Sequence, residues 1–181
     1  MLRHWPNSTQ QMVGPSFLEN FMSLTLSSPD FAHEGPIPTR FTCDGEKISP
    51  ALAWSGAPEG TRSFALIMQD PDAPDPAAPE RTFIHWVLHD LPPTTRSLPV
   101  GVKSDDLPEG SREGVNDSEH TGWTSPCPPI GRHRYYFRLF ALDRMLGDIG
   151  TPTASDLERA MISHILATTE LMGTYERPSQ A

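Results

Sequence analysis

The sequence predicts a mostly β domain with one C-terminal helix lying over a sheet. Three observations carry that reading. Proline supplies 20 of the 181 residues, about twice its usual share of roughly 5%; a ring that fixes φ and removes an N–H excludes a mostly helical chain. The apolar residues come in short runs of strand length, several of them alternating with polar ones. Near the end the spacing changes, and apolar residues recur every three or four positions, as on one face of a helix.

In chain order, residues 1–21 are polar and read as a leader, Met22 offers an alternative start, and residues 22–181 read as a single domain. MSLTLSS alternates as a half-buried strand does. A turn-rich stretch follows, then the short strand ALAWS and the turn APEG. RSFALIMQ is apolar on both faces and reads as a buried strand that ends in the loop DPDAPDPAAP. RTFIHWVLHD is the next strand, and strict alternation places His85, Val87 and His89 on one face with Trp86 and Leu88 on the other. Residues 100–124 are rich in Gly, Asp and Ser and show little periodicity. YYFRLFALD is another apolar strand. Leu157, Met161, Ile165, Thr168 and Leu171 then form a helical stripe, with Ser155 and Glu158 as a capping box and Gly173 just past the end. A cis frequency of roughly 5–6% for X-Pro bonds predicts about one cis peptide among so many prolines.

Charge and composition narrow the function. The formal net charge is −9 and the pI about 5.1, which argues against a nucleic-acid surface, since that needs a basic face. No run approaches the 18 or more apolar residues of a membrane span (roughly that length is needed), and the first residues lack the apolar region of a secretory signal. A cytoplasmic protein is the expectation. Cys43 and Cys127 show no C-x-x-C spacing, so no zinc site is read.

Three stretches carry chemistry. In DPDAPD, prolines stand where a calcium loop needs ligands, so Asp70 and Asp72 read as carboxylates that bond nearby backbone N–H groups at a strand end, placed to line a cleft. In IHWVLHD, His85 sits near the strand's start and His89 reads as a packing residue. In SPCPPIGRHRYYF, prolines stiffen the chain before Gly131 and His133; alternation turns His133 and Tyr135 to one side and Arg132, Arg134 and Tyr136 to the other. An imidazole beside a phenol offers donors to an anionic oxygen without a permanent cation. There is no G-x-S-x-G elbow and no H-E-x-x-H motif. Two alternatives use the same residues: a Cys127/His nucleophile, and a metal held by Asp70, His85 and His133.

Together DPDAP, the following H-W strand and the P-P-x-G-x-H-R-Y stretch resemble the phosphatidylethanolamine-binding protein family, in its prokaryotic Raf-kinase-inhibitor-like branch. The similarity extends through CDGEKISPALAWSGAPEGTRSFAL, HDLPPTTRSLPVGV and HILATTELMGTYER, from about Leu24 to Arg177. The resemblance implies an antiparallel two-sheet β-sandwich with a C-terminal covering helix and a small cavity for phosphate or phosphate esters. It places that cavity on Asp70, His85, His133 and Tyr135, with Gly131 shaping the backbone, Pro126 and Cys127 forming a wall, and Asp72, Ala73, Pro74 and Phe83 along the edge. Asp70 would either meet the ammonium of an ethanolamine head group or orient His85, and the orienting role is the expectation. Gln69 and Thr124-Ser125 depart from the branch's usual acid and Gly-Gly. The expected function is binding of a phosphate-bearing small molecule or phosphorylated group without turnover, cofactor or metal. Alternatives are inhibition of a kinase or protease through the rim loops, and hydrolysis using His133 or Cys127. The family likeness also suggests a homodimer. If Cys43 and Cys127 lie close, their oxidation would stiffen the cavity.

Overall fold

Phe64, Leu66 and Met68 alternate with Ala65 and Ile67 along one strand, and all five are fully buried. A strand that is apolar on both faces needs cover on both, and this organises the fold. The computed structural model describes residues 23–178; the leader expected over residues 1–21 lies outside them. The apolar strand is β3 (Ser63–Ala73). Around it lie β4 (Arg81–Leu91), β6 (Arg112–Glu113), β7 (Arg132–Leu142) and β8 (Ile165–Glu176). They form a five-stranded antiparallel sheet in the order β6-β4-β3-β7-β8. A second antiparallel sheet joins β1 (Thr25–Ser27), β2 (Leu52–Ser55) and β5 (Ser97–Leu98) in the order β1-β2-β5. The mostly β architecture expected from the residue pattern, and the two sheets that the family resemblance implies, are the fold observed.

The main core lies between the sheets. Leu26, Leu52, Trp54 and Leu98 of the small sheet share it with Phe64, Leu66, Met68, Trp86, Leu88, Phe137 and Leu139 of the large one. On the outer face of the large sheet, α1 (Ala154–Met161) sets Ala154, Leu157 and Met161 against Ala65, Ile67, Val87, Phe140 and Leu142. Burying a side chain of this size contributes about 1.5–3 kcal/mol, so the two clusters hold β3 and its neighbours as a rigid platform.

The helix covers the sheet as expected but is much shorter. It begins at the N-cap Thr153, whose hydroxyl accepts from the Asp156 N–H while the Asp156 carboxylate accepts from the Thr153 N–H; Ser155 and Glu158 are not the capping pair. It stops at Met161, and Ile165, Thr168 and Leu171 belong to β8 instead. The apolar spacing of four was ambiguous: Leu171, Gly173 and Tyr175 also alternate, and they are the buried side of a strand that completes β7's hydrogen bonding. Threonine and isoleucine in ILATTELMGTYE favour that state. Gly173 therefore ends no helix. A Cβ there would sit 2.6 Å from Ile37 and 2.8 Å from Phe31, so its bareness lets the segment after β1 pack on the strand.

The second difference lies at the end of β3. The strand does not stop at Gln69 but runs on through Asp70, Pro71 and Asp72 to Ala73, with irregular pairing to β4. Among the described residues, the Ala73–Pro74 peptide is cis.

Candidate functional site

Three strand ends meet at one edge of the large sheet: the end of β3, the start of β4 and the start of β7. The pairing of β3 with β4 sets Gln69 opposite Ile84 but Met68 opposite Trp86, leaving His85 as an extra residue. Such a bulge breaks strict alternation. Ile84 and Val87 pack toward the outer cluster, while Trp86 faces the main core. His85 turns to the inner side as well, with its ring 5.4 Å from that of Tyr135. The expectation that His85 shares a face with Val87 and His89 is thus corrected. His89 is fully buried beside Asp90, 3.5 Å away, and takes no part in the site.

A cavity of about 290 Å³ opens here. Of the residues expected at it, Asp70, Pro74, Phe83, His85, Cys127 and His133 line it, as does Ala73. The other four support it from behind. Tyr135 is completely buried beneath the two histidines, 6.3 Å from the His133 ring, and burial pushes its phenol pKa up. Asp72 turns away to a two-point bond with Arg134, Nη2–Oδ1 at 2.8 Å and Nε–Oδ2 at 2.9 Å, and also accepts from the Arg134 N–H. The guanidinium holds its carboxyl below the usual carboxylate range. Pro126 is buried and its carbonyl accepts from the Cys43 N–H at 3.0 Å. Gly131 has φ +70°, where a side chain is strained, and a Cβ would sit 3.0 Å from Pro76.

The hydrogen bonds reassign the acidic partner. Asp70 does not orient His85. Its Oδ2 lies 2.7 Å from His133 Nδ1, and its Oδ1 accepts from the Asp72 N–H. His133 Nε2 is 3.1 Å from the Ile130 carbonyl, which can only accept, so that nitrogen donates. Both ring nitrogens of His133 are therefore occupied within the protein. His85 is fixed instead by the backbone of Thr124: its Nδ1 donates to the Thr124 carbonyl at 2.9 Å, and the Thr124 N–H returns a bond to the His85 carbonyl. With Nδ1 donating, the neutral ring offers a bare lone pair at Nε2, which is buried and has no protein partner. Burial, the largest effect, lowers the His85 pKa, and the Thr124 carbonyl opposes it only in part.

Sequence reasoning named the two histidines but missed much of the wall. Arg81, Ser118, Pro128 and Pro129 also line the cavity, with Thr124 and Ser125, which were noted only as departures. Arg81 lies over the Phe83 ring at 4.9 Å and makes no ion pair among the described residues. Its signal was available, since a cation two residues before Phe83 shares that residue's face. Cys127 is bonded to Cys43, which ties the cavity wall to the loop after β1. In this form its sulfur is not a nucleophile. Nor do Asp70, His85 and His133 converge on a metal: no group of three or more metal-ligating side chains is gathered among the described residues.

The chain matches the sequence model described as phosphatidylethanolamine-binding protein over residues 27–176. A protein of Methanothermobacter thermautotrophicus designated UPF0098 is 43% identical over 155 residues, covering 85% of this chain and 99% of the relative. The crystal structure of a phosphatidylethanolamine-binding protein homolog from Chlamydia trachomatis superposes with a TM-score of 0.79 at 38% identity, over 87% of this chain and 99% of that one. YbcL of E. coli, described as a member of the mammalian family of that name, gives a TM-score of 0.77 at 30% identity, over 86% and 99%. With two antiparallel sheets, a cavity at the shared strand ends and a match across nearly all the described residues, the chain belongs to the phosphatidylethanolamine-binding protein family.

Proposed function

We propose that the cavity binds a small phosphate-bearing ligand, such as a phosphate monoester, and holds it without turning it over. The observation that carries this reading is His85 Nε2: buried, without a protein partner, on the wall of a cavity whose ring geometry is fixed by Thr124. A buried polar atom left unsatisfied is costly, so it is a position where a ligand atom is gained cheaply. Arg81 supplies the permanent positive charge at the same cavity.

The protonation state sets the chemistry. A neutral His85 presents an acceptor, which meets a protonated phosphate oxygen directly. A dianion is met only when Nε2 takes a proton and becomes a charged donor, which strengthens the bond. Either route takes a proton from solution when the free ligand is a dianion. Asp70 is engaged with His133 and with the Asp72 N–H, so it is not open to an ammonium. The phosphate rather than an ethanolamine group is what this cavity reads.

Calorimetric titration of inorganic phosphate and phosphoethanolamine into wild type and His85→Ala tests the proposal. Saturable binding of both ligands with similar affinity, with the His85 cavity's share of it lost in the variant, supports it. Equal binding by wild type and variant overturns it, as does an absence of wild-type binding at a few millimolar ligand. Turnover of a phosphate or carboxylate ester that falls in His133→Ala would replace it with the hydrolase alternative. Loss of a pulled-down kinase or protease in a cavity variant would favour the inhibitor. The Cys43–Cys127 bridge sets a condition on the cytoplasmic location: bridges persist in oxidising surroundings and are usually reduced in the cytosol.

A further inference from the structure

The sequence contains two lysines, Lys47 and Lys103, against twelve arginines. The fold brings both to one place. A second cavity of about 300 Å³ is lined by Lys47, Ser49, Lys103, Ser104, Glu113 and Trp123, among others. Neither lysine lies within ion-pair distance of an acidic side chain among the described residues, although most of the arginines do.

Two buried donors accompany the cations. Ser49 is 1% exposed, and its hydroxyl has no hydrogen-bond partner. Trp123 Nε1 is also buried and unpartnered. The indole can only donate, so a ligand atom that satisfies it must be an acceptor. Trp123 is held in place by packing, edge-on to Trp86 at 5.5 Å and stacked on Phe137 at 6.2 Å. Its N–H is therefore fixed, not free to swing out to water. Glu113 supplies the one carboxylate of the wall, and the Ser104 hydroxyl already donates to it at 2.5 Å. Asp105 and Asp106, in the same 3-10 turn as Ser104, are exposed.

Lys47 has φ +62°, a conformation that asparagine accepts more readily than most other side-chain-bearing residues.

We propose that this cavity is a second anion site, binding a small oxyanion through Lys47, Lys103, the Ser49 hydroxyl and the Trp123 N–H. Carboxylate and phosphate present the same acceptors to these groups, and the test separates them. The site is distinct from the one at His85, and the backbone of residues 122–125 runs between them: Gly122 and Trp123 line one cavity, Thr124 and Ser125 the other.

The full chain, labelled with nitrogen-15, is titrated with inorganic phosphate and separately with malonate at constant ionic strength. The Trp123 indole resonance, assigned by its loss in Trp123→Phe, is followed. The expected result is a saturable shift with a Kd of about a millimolar for at least one probe. The shift should weaken about tenfold in Lys47→Asn/Lys103→Gln, a pair of exposed substitutions in which asparagine accepts the left-handed backbone. It should persist in His85→Ala. A shift that does not saturate with either probe overturns the proposal. So does an unchanged Kd in the lysine variant, which marks an adventitious ion only, or loss of the shift in His85→Ala, which assigns the signal to the first cavity.

Discussion

Reducing the Cys43–Cys127 bridge is a perturbation whose effect on this fold can be calculated from the chain itself. The two cysteines are separated by 84 residues. Closing a loop of that length removes about 15 cal/mol/K of entropy from the unfolded chain, or about 4.6 kcal/mol at 25 °C in the loop-entropy account. A domain's whole stability is about 5–15 kcal/mol, so the bridge supplies about 30% of it or more. For a chain of this size that corresponds to a fall in Tm of roughly 9–18 °C. Cys127 is exposed, so a phosphine reductant reaches it. The assay is a thermal melt followed by circular dichroism, with and without reductant, beside Cys43→Ser/Cys127→Ser. The double variant should melt where the reduced protein melts and should not respond to reductant. Two free thiols in protein handled under air, or a fall of less than about 4 °C, near 1 kcal/mol, would refute the reasoning.

Further expectations concern the supports of the site. Asp72→Asn removes a charged two-point bond and should cost about 1–3 kcal/mol at neutral pH, measured by urea unfolding. Because the folded Asp72 pKa is lowered, its contribution is full above the unfolded value of about 3.9 and is lost as pH falls through the folded value; the difference between variant and wild type should shrink in acid. Gly173→Ala places a methyl 2.6 Å from Ile37 and should cost about 1–3 kcal/mol in the same measurement; a neutral result would contradict the packing described. His85 has a lowered folded pKa, so ligand-free stability should be full above about pH 6.5 and fall below it as the unfolded chain takes up a proton. His85→Phe should flatten that decline.

How much of this was legible in the sequence differs from residue to residue. The run from Phe64 to Met68 announced a strand covered on both faces, and alternation put His133 and Tyr135 on one side of β7, where their rings lie 6.3 Å apart, because both signals are local. The helix was overextended because Leu157, Met161 and Ile165 keep a four-residue spacing across a boundary that β7's need for a partner decides. His85 was assigned to the wrong face because a bulge adds a residue without changing the composition. Its partner was missed for a related reason: Thr124 acts through its backbone carbonyl, which any residue carries. Asp70 lines the cavity, but which of two histidines it bonds depends on register between β3 and β7 and not on spacing. The family likeness supplied the second sheet and the cavity's general place; it did not supply the direction of the hydrogen bonds inside it.

The central claim is that a neutral, buried His85 meets the phosphate. The most direct measurement is the number of protons taken up per phosphate monoester bound, from calorimetry at about pH 8 in two buffers of different ionisation enthalpy. The free ester is then a dianion, since its second pKa is about 6, and His85 is neutral. The account predicts an uptake approaching one proton for the phosphate bound at the His85 cavity, and both that binding and that uptake are lost in His85→Ala. Saturable binding with no proton uptake, retained in that variant, would contradict it.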